Sequence, residues 1–226
     1  MIDIFKKGFK LIYGDLADSN SISNLIGDLK PDLFINAAAM SHVKVSFEIP
    51  EYTADITGTG VLRCLEAIRK FSPRTRFLQC SSSEMFGNMP PPQNELTTLK
   101  SCSPYASAKI FGYHTTINYR EAYNLFASNA IAFNMESPRR GHTFVTKKIT
   151  TAAARISLGL QDKLFLGNLE AKRDWQHAKD ACRAMIMILD HDKPDDFAIS
   201  SGESHSIQEF VELVFSKLNL DWKKYV

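Results

Sequence analysis

The chain is 226 residues long, 44% hydrophobic and 23% charged, with a formal net charge of +2. This is the composition of a globular protein with one good core, a single domain or one domain with a small lobe. A charge so close to balance gives no argument for nucleic acid or an anionic membrane, and no apolar run approaches the roughly 20 residues of a spanning helix.

The opening Met1-Ile2-Asp3-Ile4-Phe5-Lys6-Lys7 is too short and too charged for a signal peptide. Lys10 to Tyr13 reads as a short strand, closed by Gly14-Asp15-Leu16. Asp18 or Ser19 caps a helix running to about Leu29, with Ile22, Leu25, Ile26 and Leu29 at helical spacing. Pro31 ends it, and Leu33-Phe34-Ile35 forms the next strand, ending in Asn36-Ala37-Ala38-Ala39. A longer helix is expected over about Tyr52 to Lys70, then a strand from Arg76 to Cys80. After Pro90-Pro91-Pro92 come a helix from Tyr105 to about Tyr123 and a strand from Phe126 to Phe133. Phe144 to Leu158 reads as helix, Lys163 to Leu166 as strand and His177 to Asp190 as helix. Phe197 to Ser200 reads as strand and Ile207 to Leu218 as helix. Strands alternating with helices predict an α/β fold, a Rossmann-like parallel sheet with helices on both faces. In such sheets ligands bind at the carboxyl ends of the strands.

The chemistry concentrates between Gln79 and Lys109. Tyr105 and Lys109 are four apart on a helix and so share a face. An ammonium beside a phenol favours the phenolate, which brings a tyrosine towards use as a base near neutral pH. Ser81-Ser82-Ser83-Glu84 adds hydroxyls and a carboxylate at the end of the preceding strand. Together these groups suit proton and hydride chemistry on an alcohol. For Ser81 and Ser83 a plain role in capping a turn competes. The four cysteines, Cys64, Cys80, Cys102 and Cys182, are scattered, so neither a zinc site nor a disulfide framework is expected, and reduced thiols in a cytoplasmic protein is the reading. The chain contains no Gly-x-Gly-x-x-Gly or Gly-x-x-Gly-x-x-Gly to cradle a pyrophosphate; Gly58 and Gly60 fall inside a helical pattern.

Four blocks carry a family resemblance: Gln79 to Gly87, Ser103 to Lys109, Glu136-Ser137-Pro138-Arg139-Arg140-Gly141, and Gly167 to Trp175. From about Tyr13 to Glu212 the chain resembles the GDP-mannose 4,6-dehydratases of the extended short-chain dehydrogenase/reductase family. The resemblance implies an N-terminally incomplete Rossmann-like part over residues 1–133, to which 172–200 returns, and an incomplete substrate-binding part over 134–226. It further implies an internal redox cycle with NADP, in which hydride leaves C4 of the mannose of GDP-mannose, water is lost across C5 and C6, and hydride returns to C6. Matched to the motif, Tyr105 is the base for the C4 hydroxyl, Glu84 removes the C5 proton, Ser82 bonds the C4 oxygen in place of the usual threonine, and Lys109 holds the nicotinamide ribose. Asp15, Leu16, Ala37, Ala38, Ala39, Met40, Ser41, Tyr52 and Arg140 match cofactor positions. Met135 stands where the family usually has histidine. Asn134, Glu136, Lys148 and Arg173 match positions around the GDP-sugar, whereas Lys147, Lys172, His42, His177 and His205 read as surface or structural residues. Without the glycine turn, NADP binding is expected to be weak. A homo-oligomer is compatible with the resemblance; a metal, a membrane or nucleic acid is not implied. Another nucleotide-sugar epimerase or reductase of the superfamily, or a silent nucleotide-sugar-binding module, are the alternatives.

Overall fold

The computed structural model describes residue 8 and residues 10–226; the opening heptapeptide, on which the signal-peptide expectation falls, lies outside the described residues. The chain forms two compact units. The first runs to Ile131 and takes back Ile188–Phe197, and the second comprises Ala132–Met187 and Ala198–Val226.

In the first unit, α1 (Ser19–Leu29) begins where the Asp18 carboxylate accepts from the Asn20 and Ser21 N–H groups. It ends at Lys30, whose φ of 42° is left-handed. β1 (Leu33–Asn36) follows. The short helices α2 (Val43–Ser46) and α3 (Pro50–Ala54) lead through a π-helical turn at Asp55–Thr59 into α4 (Gly60–Phe71). The single helix expected over Tyr52 to Lys70 is therefore widened in the middle. Glycines let this run pack closely. A Cβ on Gly60 would stand 2.9 Å from Leu16 Cβ, and one on Gly112 would stand 2.9 Å from Val61 Cγ2.

β2 (Arg76–Ser82) pairs with β1 in parallel, from Leu33 opposite Arg76 to Asn36 opposite Gln79. A 3-10 turn, Ser83–Phe86, leads on towards α5 (Pro104–Tyr123). α5 starts at Ser103, whose hydroxyl accepts from the Ala106 N–H, with Pro104 in the first turn. β3 (Ala127–Ala132) is followed much later in the chain by β7 (Asp196–Ile199), and the sheet order is β1-β2-β3-β7. This is the parallel, Rossmann-like sheet the sequence predicts. Ile22, Ile26, Leu65, Ile68 and Phe77 form part of one core cluster beneath it. The strand expected at Lys10–Tyr13 does not form. Tyr13 is 98% exposed, and among the described residues β1 pairs with β2 alone, so this apolar run has no ladder there to hold it extended.

Asp196 is the polar centre of the first unit. Its carboxylate accepts from Tyr113 Oη (2.9 Å), Asn129 Nδ2 (2.8 Å) and both terminal nitrogens of Arg120 (3.0 and 3.1 Å).

In the second unit, β4 (Asn134–Glu136) pairs in parallel with β6 (Trp175–His177), and β5 (Lys172–Arg173) pairs antiparallel with β8 (His205–Ser206). α6 (Val145–Ser157) and α8 (Ile207–Ser216) bury Ile149, Ala153, Val211 and Phe215 in a shared core. Ser206 and Glu209 close a capping box on α8. α7 (Ala178–Asp190) runs from this unit back to the first. The expected strand at Lys163–Leu166 is absent. Leu164 is buried, but its N–H goes to the Tyr225 carbonyl at 2.7 Å, beside the closing 3-10 turn, and not to a strand. Among the described residues no helix is long and apolar enough to cross a membrane, and no group of three or more His, Cys, Asp or Glu side chains could hold a metal ion.

Candidate functional site

The carboxyl end of β2 and the first turns of α5 build the centre of the first unit. Lys109 is 4% exposed, and its Nζ reaches across to donate to the Cys80 carbonyl at 2.5 Å. The Tyr105 ring, also buried, lies one turn back on α5 with its centroid 5.8 Å from Nζ. Burial disfavours the ammonium and brings the Lys109 pKa down from 10.5 to about 8, with the Cys80 thiol acting weakly the other way. An ammonium has three N–H donors, and among the described residues one is taken.

Two residues beyond Cys80, the Ser82 hydroxyl accepts from the Glu84 N–H at 3.2 Å and caps the 3-10 turn. Glu84 is exposed, and its carboxylate makes no hydrogen bond or ion pair among the described residues. α5 packs on β2 and on the turn that carries Glu84, so Ser82, Glu84, Tyr105 and Lys109 belong to neighbouring elements of one unit. Ser81 turns inwards and donates to Asn129 Oδ1 at 3.0 Å, a buried bond across the fold and not the turn cap that competed for it; Ser82 caps that turn.

The other residues matched to the cofactor are more dispersed. Asp15 folds its own turn: Oδ1 accepts from the Ala17 N–H at 2.9 Å and its carbonyl from the Asp18 N–H at 3.0 Å. Leu16 is buried against Gly60, and its carbonyl accepts from Arg63, which is ion-paired with Asp55 at 2.7 Å. The Ala37–Ser41 segment follows β1 with Ala37, Ala38 and Ser41 exposed and Ala39 and Met40 half-buried. It is pinned by Ala38 N–H to Asn36 Oδ1 (3.3 Å) and Met40 N–H to Thr57 Oγ1 (3.0 Å). Tyr52 is exposed.

In the second unit, Arg140 lies over the Phe144 ring (3.8 Å), and its Nε stands 3.6 Å from Glu136 Oε2, buried and without a hydrogen-bond partner among the described residues. That Glu136 oxygen accepts from the Thr146 hydroxyl at 2.5 Å. Asn134 donates to the Asp174 carbonyl at 3.3 Å, Lys148 to the Phe165 carbonyl at 2.6 Å, and exposed Arg173 to the carbonyl of Lys172 at 2.7 Å. A cleft of about 580 Å³ opens in this unit, with Glu136, Thr146, Lys147, Trp175, His177 and Phe210 in its walls. Glu136 is the one predicted substrate residue lining it. Lys147 and His177, read as surface and structural, line it too. No local spacing marks them: α6 lies about thirty residues before β6, and the cleft forms only where these elements meet.

The family described as GDP-mannose 4,6 dehydratase matches residues 3–226. The chain belongs to the GDP-mannose 4,6-dehydratase family. It is 53% identical over 228 residues to GDP-mannose 4,6 dehydratase 2 of Arabidopsis thaliana, covering 99% of this chain and 61% of that relative. It is 49% identical to GDP-mannose 4,6-dehydratase of Vibrio cholerae serotype O1, covering 94% of this chain and 58% of the relative. The chain thus spans about three fifths of the length of these curated relatives. In fold, this dehydratase-family chain is similar to the dTDP-glucose 4,6-dehydratase DesIV of Streptomyces venezuelae, solved with NAD and TYD bound. The TM-score is 0.88 at 21% identity, over 100% of this chain and 68% of that one. RMD of Pseudomonas aeruginosa, complexed with NADPH, gives a TM-score of 0.87 at 24% identity, over 95% of this chain and 76% of that one.

Proposed function

We propose that this chain carries the catalytic centre of a GDP-mannose 4,6-dehydratase, a hydro-lyase converting GDP-mannose to GDP-4-keto-6-deoxymannose. The observation that carries the reading is the Tyr105–Lys109 pair, buried and anchored at the end of β2, with exposed Glu84 on the adjoining turn. Tyr105 takes the proton of the C4 hydroxyl while Ser82 bonds the C4 oxygen. Glu84 removes the C5 proton, which the neighbouring ketone makes acidic; an exposed carboxylate without a partner among the described residues is free to do so. Lys109 favours the phenolate of Tyr105 and offers its remaining N–H groups to the hydroxyls of a ribose.

The donor set at this end fits a nicotinamide cofactor, which would be NADP and would accept and return the hydride. Residues 37–41, Tyr52 and Arg140 are its further contacts; the chain has no glycine turn for the pyrophosphate. Residues 1–133, to which 172–200 returns, form the cofactor side and 134–226 the substrate side, where Asn134, Glu136, Lys148 and Arg173 take the GDP-sugar. The protein is a cytoplasmic enzyme on this reading.

A second reading, a nucleotide-sugar-binding module without turnover, is favoured by Asp15 and Leu16, which the fold itself engages. One experiment separates the two. The chain is incubated with GDP-mannose and NADP+, and loss of one water is followed by mass spectrometry. Turnover is expected, and Glu84→Gln should lower it by about 10²–10⁴-fold, the usual contribution of general acid–base groups. Tight binding of GDP-mannose with no dehydration would select the silent module.

A further inference from the structure

A row of buried amides runs beside Lys109 that the proposed chemistry leaves unused. Gln79 (1% exposed) and Asn36 (3% exposed) are register partners across β1 and β2. The Ala38 N–H donates to Asn36 Oδ1 at 3.3 Å, and Asn36 Nδ2 donates to Gln79 Oε1 at 2.8 Å. Gln79 Nε2 then donates to the Cys80 carbonyl at 3.1 Å, the same oxygen that accepts from Lys109 Nζ. The direction of the row is fixed. Turning the Gln79 amide over would set its NH₂ against that of Asn36 and its oxygen against the Cys80 carbonyl. Two amides are a costly way to fill a strand core, since each must be fully satisfied to avoid a desolvation penalty. An apolar pair would pack there without that requirement. What the amides add is a connection between the exposed 37–41 segment and the lysine anchor.

We infer that Gln79 is a positioning residue for Lys109: it holds the Cys80 carbonyl on which the ammonium is seated and ties that seat, through Asn36, to the 37–41 segment. The inference rests on the reading above that Lys109 belongs to the catalytic machinery. Seating one N–H on a fixed carbonyl directs the other two away from it, which is the geometry needed to hold adjacent hydroxyls. The groups that face the ammonium are the Cys80 carbonyl and thiol, the Tyr105 ring and the Gln79 amide behind the carbonyl.

The test uses the 226-residue chain labelled with ¹³C and ¹⁵N at lysine, the Lys109 signals being assigned by Lys109→Arg. Gln79→Met removes both of the residue's hydrogen bonds, and exchange of the Lys109 ammonium protons is expected to rise about tenfold, the equivalent of one lost hydrogen bond. Gln79→Glu keeps the acceptor for Asn36 but sets a carboxyl oxygen where the donor stood. The Lys109 titration midpoint is then expected to rise, because a neighbouring negative charge favours the ammonium. In turnover, Gln79→Met should lower kcat about tenfold with KM for GDP-mannose unchanged, as expected for a group acting through another. Lys109 exchange and titration indistinguishable from wild type in both variants would overturn the inference. Should Gln79→Met fail to fold, the titration of Gln79→Glu decides alone. A wild type that never dehydrates GDP-mannose overturns the dehydratase reading while leaving the resonance test of Gln79 intact.

Discussion

Replacing Lys109 by methionine should make the protein more stable at neutral pH. The side chain is buried, and its pKa falls from 10.5 to about 8 because burial disfavours the charged form. At about 1.4 kcal/mol for each pKa unit, that difference is a penalty of about 3 kcal/mol whenever the folded protein must hold the ammonium. The sign follows from linkage. The folded pKa lies below the unfolded one, so the unfolded state binds the proton more tightly. The penalty is complete below pH 8 and fades as the pH rises towards 10.5. Methionine fills similar space but cannot donate to the Cys80 carbonyl. Gln79 Nε2 still does, so the loss there is held to about 1 kcal/mol. Lys109→Met should therefore gain about 2 kcal/mol at pH 7, shrinking towards zero or reversing by pH 10. Urea unfolding followed by circular dichroism at pH 7, 8, 9 and 10 measures this directly. A variant less stable than wild type at pH 7, or a gap that stays constant up to pH 10, would refute the reasoning. A stabilised but inactive variant would mark Lys109 as a residue kept for function at a cost in stability.

Further outcomes are expected. Asp196→Ala removes the acceptor shared by Tyr113, Asn129 and Arg120 and leaves a largely buried guanidinium unpaired. It should cost about 3–5 kcal/mol by denaturant unfolding, and Asp196→Ala with Arg120→Met should recover part of that. Glu66 bonds Arg69, Lys70 and Tyr119, and the Arg69 hydrogen bond first of all holds its carboxyl well below the usual carboxylate range. Its contribution is present above its unfolded pKa of roughly 4.3 and is lost as the pH falls below it, so thermal unfolding of Glu66→Gln should be flatter than that of wild type across the acid range. Arg173→Ala should weaken GDP-mannose binding more than Lys172→Ala in calorimetry, because of the two only Arg173 is proposed to take the GDP-sugar. The 226-residue chain should bind NADP+ more weakly than micromolar, since losing three or four charge-assisted hydrogen bonds at roughly 1.5–3 kcal/mol each removes much of the about 8 kcal/mol that such an affinity needs. A fluorescence titration checks it.

Elements with a local cause were legible in the sequence. Asp18 announces α1, which starts at the next residue, and the helix expected from Tyr105 begins one residue earlier, at Pro104, where Ser103 caps it. Tyr105 and Lys109 are readable as a pair because four residues apart is a local relation. The strands β4, β5, β6 and β8 are two or three residues long, too short to carry a period, and they exist through partners distant in the chain. Lys10–Tyr13 shows the converse: its residues favour a strand, but a strand needs a neighbour on its edge. The same distinction divides the site. The residue types around Tyr105 were readable, but the seat of Lys109 on the Cys80 carbonyl lies 29 residues away, and the part of Gln79 depends on Asn36, 43 residues away. Lys147 and His177 read as bland because nothing local ties them to the cleft they line.

The close packing at Gly112 bears on how this protein can change. Its missing Cβ makes room for Val61 Cγ2 across the gap between α4 and α5, and Gly112 is three residues beyond Lys109. A methyl group added at 112 alone would press on Val61 and displace the stretch of α5 that carries the lysine. The obstacle is the end of one side chain, so trimming Val61 to alanine clears it. In a laboratory selection, alanine at 112 should therefore be recovered together with a smaller residue at 61 and seldom by itself. At Gly60 the opposing atom is the Leu16 Cβ, which every residue but glycine retains, so no such exchange of volume is open, and glycine should persist there through any number of rounds.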